Sequence, residues 1–491
     1  MEDFANKCEL KENETMGRYL VAAVNIKAGE TLLLEQPLLL LANNADRRCC
    51  NCHQLTSTFC GKCRLMPLCA ECVDHHGLDC LRLAKLQLHV EQVQQLQANA
   101  EIANVLKFLL LREHAEMHSW YEELLQMEAH LARRRDTEIW RTYQKQVIEP
   151  LQSAGLLLQL RNGSEIDEDL LQRMLGIADI NGFEIRAPES GSSMRGVYLR
   201  AGLFAHSCVP NVVAAIDEQH RIKLYANRSI AAGEILYNCY TNIMLGTDER
   251  RQILKIGKCF DCQCVRCLDP TELGTHMSSF VCSHCAGGYI VKQPDSNAWQ
   301  CLLNPEHMLN PEFVASVVER AKEEVFHARD DIYRLELLLA KLGRLLHGNH
   351  YIMLDLKQNI ASILRQILQN MAHRPSRKVY ERKIRLCQEI LLVLKVLVPG
   401  ISRLKAIALY ELANTQAELA RKLFSEQEHT AADLLGELQQ TEIMMRESLR
   451  MLLYEPICTP EGHLARNMLR ELKELQNDMK VLQQPNDDVI N

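Results

Sequence analysis

Between positions 49 and 80 the chain lays out a ladder of soft metal ligands: Cys49-x2-Cys52, Cys60-x2-Cys63, Cys69-x2-Cys72, then His76-x3-Cys80. Two cysteines separated by two residues can turn both sulfurs onto one ion, and four such donors close a tetrahedron around zinc. Eight donors in 32 residues suffice for two zinc sites. Interleaved pairs can hold together a segment that lacks a large core, its folding energy coming mostly from the metal. Cys50 and His75 adjoin ligands and read as spares.

A second group follows at Cys262, Cys264 and Cys267. It leaves a tetrahedral ion one donor short, and Cys208, in the tight turn Ser207-Cys208-Val209-Pro210, is the donor to expect. A third group, Cys282-x2-Cys285 with Cys301, runs into Leu302-Leu303-Asn304 where a second C-x2-C would close it. There His307 is the candidate fourth ligand, and metal-free buried thiols are the other reading. Of 20 cysteines, the last 190 residues hold only Cys387 and Cys458. Such clustering, with no apolar h-region near the N-terminus, reads as intracellular zinc chemistry and not as a secreted disulfide framework.

The elements that must position these ligands can be sketched from pattern alone. Residues 19–26 and 31–41 read as strands joined at Lys27-Ala28-Gly29-Glu30. From 81 to 175 apolar residues recur at helical spacing, as in Ile102, Val105, Leu106, Leu109 and Leu110. Ser164, followed by Asp167, marks a helix start before 170–177. Strand alternation returns over 180–245. Ile26-Lys27-Ala28-Gly29-Glu30 is echoed by Ile230-Ala231-Ala232-Gly233-Glu234, which reads as a chance likeness of two hairpin turns. Arg133-Arg134-Arg135 reads as a solvated helix end. Beyond 311 about seven amphipathic helices are expected. One apolar stripe there is Ile332, Leu335, Leu339, Leu342 and Leu346, and small Ala406, Ala413 and Ala417 suit closely stacked helices.

At 491 residues the chain exceeds a single core, so roughly two to four domains are expected. A net charge of -7 argues against a dominant nucleic-acid surface. The greasiest runs, 32–41 and 391–398, are interrupted by Glu35, Gln36 and Lys395 and are too short to cross a bilayer.

Three separated stretches carry a resemblance to a known family. They are Gly17-Arg18-Tyr19-Leu20, then Ala205-His206-Ser207-Cys208-Val209-Pro210-Asn211, then Gly233-Glu234-Ile235-Leu236-Tyr237-Asn238-Cys239-Tyr240 followed by Phe260-x-Cys262-x-Cys264-x2-Cys267. The cysteine ladder between the first two resembles a MYND finger. In this order the chain resembles, over its whole length, the SMYD family of SET and MYND domain-containing protein-lysine methyltransferases, in particular the arthropod SmydA-like members. The resemblance implies an α+β multidomain fold. A SET β-fold, with its N-terminal part at 1–48 and its core at 176–245, would be split by a MYND zinc finger (49–80) and a helical insert (81–175). A cysteine-rich post-SET zinc segment (246–270), a cysteine-containing linker (271–310) and an all-α, TPR-like C-terminal domain (311–491) would follow.

The resemblance also implies ligand sets and roles. One finger zinc would take Cys49, Cys52, Cys69 and Cys72, the other Cys60, Cys63, His76 and Cys80; Cys208 would join Cys262, Cys264 and Cys267. That makes three zinc ions, with a fourth open at Cys282, Cys285, Cys301 and His307. S-adenosyl-L-methionine is the implied cofactor, bound near Gly17, Arg18, Tyr19, Asn181, Ala205 and His206. Tyr240 is the implied catalytic residue, its hydroxyl orienting a lysine amine and lining the lysine channel. Methyl transfer from a sulfonium asks for an in-line, neutral amine, a close apolar channel and an aimed oxygen lone pair, with little acid-base power.

Three positions depart from the family's pattern: Tyr19 stands where a second glycine is usual, Ala205 where an asparagine is, and Tyr237 where a threonine is common. Losing one buried amide hydrogen bond costs about 1–3 kcal/mol. That defines an alternative reading, a catalytically weak or inactive scaffold that binds protein partners. The implied partners are a protein substrate with a target lysine, histone or otherwise, and proline-rich peptides at the finger. No nucleic acid and no membrane are expected; a monomer in the cytoplasm and/or nucleus is.

Overall fold

In the computed structural model, residues 2–43, 46–72, 77–160, 165–186, 193–370 and 375–483 are described. The apolar runs near the N-terminus form short strands, because each must leave one small sheet to join another. Cys8–Asn13 and Gly17–Ala22 make a hairpin. Thr31–Glu35 pairs antiparallel with Ile222–Ala226, which pairs with Val212–Ile216. Leu39–Ala42 and Gly182–Arg186 flank Ser193–Val197. Two of these sheets join strands from before position 43 to strands after position 181, so the β region closes around everything inserted between them.

The echoed turns are partners. Ile26 and Ile230 exchange both main-chain hydrogen bonds at 2.9 Å. Gly29 N–H donates to Ala226 O and Gly233 N–H donates to Ala22 O, each at 2.8 Å. Ala226 and Ala22 in turn donate to Glu30 and Glu234. The repetition is therefore a local two-fold arrangement and not a chance likeness. Both glycines sit at positive φ, +82° and +87°, where an L side chain is strained.

The finger borrows a core. Cys49, Cys60 and Cys63 lie in one apolar cluster with Leu65, Met66 and Leu68 of their own segment and with Leu83, Leu106, Phe108 and Leu109. Those last four belong to the helices Gly77–Ala84 and Ala100–Leu111. The segment, read from its spacing as held mostly by metal, thus has apolar support as well. The next long helix, Glu168–Asn181, is capped by Asp167, whose carboxylate accepts the Leu170 N–H at 2.8 Å; Ser164 lies outside the described residues.

The arginine run is a solvated face at Arg133 and Arg135 but not at Arg134. Arg134 is buried and pairs with Asp179 at 2.7 Å, and Arg133 donates to the Cys259 carbonyl. Arg135, exposed, pairs with Asp169. Asp179, which also takes Arg195 at 2.7 Å and the Tyr143 hydroxyl at 3.0 Å, supplies the half-buried counter-charge that draws Arg134 inward.

Where the sequence suggests a linker, over 271–310, the chain builds a four-stranded antiparallel sheet from Phe280–Val281, Tyr289–Lys292, Trp299–Cys301 and Met308–Leu309. Then come the helices Pro311–Ala328, Ile332–Leu342, Tyr351–Gln369, Arg377–Leu397, Arg403–Ser425, Ala431–Leu452 and Pro460–Gln483. Ala406, Ala413 and Ala417 face inward and let helices approach closely enough for Ser448 Oγ to donate to Ala406 O at 2.6 Å. Among the contacts that tie these helices to the β region, Ile401 N–H donates to Asn227 O at 2.7 Å, and Tyr454 presses on Gly29, where an added Cβ would lie 1.9 Å from its hydroxyl. No described helix is long and apolar enough to cross a membrane.

Candidate functional site

The described cysteines gather as sets. Cys49, Cys52, Cys69 and Cys72 bring their sulfurs within 4.8 Å of one another, as do Cys60, Cys63 and Cys80, and Cys208, Cys262, Cys264 and Cys267. His76 lies outside the described residues. Sulfurs bound to one zinc at about 2.3 Å stand about 3.8 Å apart on a tetrahedron. The separations found are 3.5 Å for Cys52–Cys69 and Cys60–Cys80, 3.6 Å for Cys208–Cys267 and 4.0 Å for Cys208–Cys262. The donor sets therefore fit a tetrahedral, thiophilic ion.

Around Cys208 the chain adds charge that sequence spacing did not disclose. Four thiolates on a divalent ion carry a net charge of about -2 into a buried place. Arg250, fully buried, donates from Nε to Cys208 Sγ at 3.2 Å and from Nη2 to Cys267 Sγ at 3.5 Å. Its Nη1 meets Glu272 Oε2 at 2.8 Å, and Arg266 meets the same carboxylate at 2.8 Å. Burial alone would raise Glu272; Arg266 and Arg250 outweigh it and hold the carboxyl below its ordinary range. No short motif announces this triad, whose members are separated by up to 22 residues.

The three motif stretches meet edge to edge. Leu236 N–H donates to Leu20 O at 2.9 Å and Ala22 N–H to Glu234 O at 2.8 Å, joining Gly17–Ala22 to 234–236. The continuation, Tyr237–Asn238, runs parallel to Ala205–His206. Buried Asn211 pins the junction: its Oδ1 accepts Tyr237 N–H at 2.7 Å and its Nδ2 donates to Ile235 O at 2.8 Å.

Tyr240 and His206 are locked together by this junction. Tyr240 N–H donates to His206 Nδ1 at 3.0 Å. That bond assigns the ring proton to Nε2, which points at Cys208 Sγ 3.4 Å away. Burial takes the imidazole down to about 4, so the ring is neutral. The Tyr240 hydroxyl donates to the Phe204 carbonyl, and burial raises the phenol well above its ordinary value. Its oxygen lone pairs remain available to accept a hydrogen bond.

The residues expected near a cofactor border the same junction. Gly17, Arg18 and Tyr19 lie on the strand Gly17–Ala22, and Arg18 Nη2 donates to Gln126 O at 2.9 Å. Tyr237 is raised first by burial and then by Tyr19, so two of the departing positions are neighbours. Asn181 ends the helix Glu168–Asn181, and its Nδ2 donates to Glu128 O at 2.8 Å and Ile177 O at 3.1 Å. Its Oδ1 faces Gly202, where an added Cβ would stand 3.8 Å from that oxygen and 2.8 Å from Met127 Cε. Asn181 Oδ1 is thus a carbonyl-type acceptor close to Gly202, and the strand of Arg18 packs against the Ala201–Leu203 turn that carries this glycine.

Lys258, unremarked in the sequence, closes the neighbourhood. It ends the helix Thr247–Lys258 and donates from Nζ to Ile180 O at 2.7 Å and Asp179 O at 3.1 Å. The same nitrogen stands 5.9 Å from the centre of the Tyr240 ring. Burial lowers this amine to about 8, against the opposing pull of Asp179. Capping the carboxyl end of Glu168–Asn181 accounts for its place in the fold; its closeness to Tyr240 makes it a gauge of how that spot treats an amine.

Comparison with known proteins bears on the same stretches. The family profile described as SET domain matches residues 17–241. SmydA-8 isoform A of Drosophila melanogaster, a SET domain-containing protein, is 26% identical over 311 residues, covering 60% of this chain and 64% of that protein. Mouse SMYD3, named a histone-lysine N-methyltransferase, is 26% identical over 280 residues, 54% of this chain and 62% of that protein. SMYD2-B of Xenopus laevis, named an N-lysine methyltransferase, is 26% identical over 271 residues, 52% of this chain and 60% of that protein. The chain thus spans a little under two thirds of the length of these relatives.

Proposed function

We propose that the chain is a SMYD-type SET-domain protein, as its likeness to these relatives supports, and that it methylates lysine side chains of protein substrates with S-adenosylmethionine as methyl donor. The observation that carries this reading is the state of Tyr240, a neutral phenol whose backbone is clamped by His206 and whose proton is committed to the Phe204 carbonyl. When bound, S-adenosylmethionine supplies an electrophilic methyl group on a sulfonium.

The protein's share of the work follows from the residues. Asn181 Oδ1 and Arg18 would hold the ammonium and carboxylate of the donor's amino-acid end, with Gly17, Tyr19, Ala205 and His206 forming the adjoining walls. Tyr240 accepts an N–H from the incoming lysine, aiming the nitrogen lone pair instead of removing a proton. The incoming amine must already be neutral, and Lys258 indicates how: desolvation beside Tyr240 favours the uncharged form of an amine. The Cys208 set, acting through the His206 ring, keeps the Tyr240 backbone in register.

The domain boundaries of the sequence reading stay part of this proposal, as do zinc on the finger and post-SET cysteines with His76 as the eighth finger ligand, and S-adenosylmethionine itself. So do a target-lysine protein as substrate, proline-rich peptides at the finger, a monomeric state, and residence in cytoplasm and/or nucleus.

Calorimetric titration of the purified protein with S-adenosylmethionine tests the reading. Saturable heat is expected, as is methyl incorporation into lysine-containing proteins that falls about a hundredfold in Tyr240→Phe while cofactor heat stays. Silence up to millimolar cofactor would end the enzyme reading and leave the scaffold.

A further inference from the structure

Beyond the three cysteine sets, a fourth group stands apart on the sheet that replaces the expected linker. Cys282, Cys285, Cys301 and His307 bring one ligand atom each to within 4.8 Å of all the others. His307 Nδ1 lies 3.2 Å from Cys285 Sγ and 3.7 Å from Cys282 Sγ. With zinc–sulfur bonds of about 2.3 Å and zinc–nitrogen bonds of about 2.0 Å, the nitrogen–sulfur edge of a tetrahedron is about 3.5 Å. The distances found bracket that value.

Two strand turns build the group symmetrically. Cys282 follows Phe280–Val281, and Cys285 sits in the turn before Tyr289–Lys292; Cys301 ends its strand, and His307 precedes Met308–Leu309. Each turn is registered by main-chain bonds, Cys282 N–H to Gly288 O and Cys301 N–H to His307 O, both 2.9 Å. Gly288 closes the first turn onto the cysteines. A Cβ there would meet Cys285 Cβ at 2.6 Å, Cys301 Sγ at 3.2 Å and Cys282 Cβ at 3.3 Å. The Leu303 N–H points at Cys301 Sγ from 3.4 Å, as amides do toward a charged sulfur. A metal-free apolar core explains the burial of Cys282 and Cys301, but not an imidazole nitrogen turned onto two sulfurs or an amide spent on a third.

We propose that Cys282, Cys285, Cys301 and His307 hold a structural zinc ion of their own. Three soft sulfurs and one imidazole with no open position suit a closed tetrahedral site and not a catalytic one. Its work is mechanical. Cys282 and Cys301 lie in one core with Phe280, Ile290 and Trp299 of the sheet and with Val325, Leu335 and Leu342 of the C-terminal helices. Lys292 pairs with Asp248 at 2.9 Å, at the start of the helix that leads to Lys258. The ion therefore stiffens the block on which the C-terminal helices and the post-SET segment are both seated.

The test is metal counting on the full chain, produced with zinc and purified without chelator, by elemental analysis and native mass spectrometry. Wild type is expected to carry four zinc ions, Cys285→Ser three, and His307→Cys four, because a fourth thiolate completes the same tetrahedron. Three ions in wild type with Cys285→Ser unchanged, or a count of four that survives both Cys285→Ser and Cys301→Ser, would overturn the assignment. If Cys285→Ser does not fold, the wild-type count and the His307→Cys count still decide. Methyl transfer is not the readout, so an inactive protein with four ions leaves this site standing.

Discussion

Around Cys208 the chain fixes its geometry with four sulfurs and three buried charges, Arg250, Arg266 and Glu272. Around Leu438, in the C-terminal helices, it does so with Leu434, Met445, Leu449, Met468 and close-set alanines. The first region brings together residues far apart in sequence, and every member depends on a partner's charge. The second tolerates loss, because a missing methyl leaves a void that neighbours can partly fill.

The comparison breaks most sharply at Arg250. Arg250→Met leaves Glu272 with Arg266 as its cationic partner but removes the donor to two sulfurs, and breaking into a buried ion network costs up to about 3–5 kcal/mol. Denaturant midpoint and metal content should fall together; a variant that loses stability but keeps all its metal would separate the triad from the cysteine set. In the helices, Leu438→Ala should cost about 2–4 kcal/mol through its cavity. Metal content should be unchanged there, read by the same two measurements.

The finest probe is one proton. Lys258 is lowered to about 8 from 10.5, so below pH 8 the fold carries a buried charge that the unfolded chain holds without penalty. As pH rises from 8 toward 10.5 the folded protein releases this proton first, and stability should gain relative to Lys258→Met, in which that increment is missing. Competitive amine labelling should place the midpoint near 8; labelling like an ordinary surface lysine would remove Lys258 from the Tyr240 neighbourhood.

What could be read from sequence divides along the same line. Ligand spacing is local chemistry, so the cysteine clusters could be read from the chain, while the family resemblance supplied the grouping of the finger cysteines and the motif order that pointed to stretches that do meet. About seven C-terminal helices were expected from periodicity, and the described residues form seven. Arg250, Arg266, Glu272 and Lys258 gave no signal, because an ion pair leaves no periodic trace and a helix-ending lysine looks like any other. Arg134 misled for the same reason: its partner Asp179 lies 45 residues away. The sheet at 280–309 was missed because its strands are two to four residues long, below the length at which alternation becomes visible.

Gly29 and Gly233 are twins in their main-chain bonding, yet only one bears weight. Gly233 would offer a side chain open space, whereas Gly29 lies under Tyr454, itself stacked on Tyr225 at 4.9 Å. The turn at Gly29 runs directly into Thr31–Glu35, and the Glu35 carboxylate grips the Arg200 and Ala201 amides at 2.9 Å, just upstream of Ala205 and His206. The C-terminal helices thus rest on the long arm of a lever whose fulcrum is one strand. Its short arm ends beside the ring that holds Tyr240, and its twin on the other side of the two-fold is left unloaded.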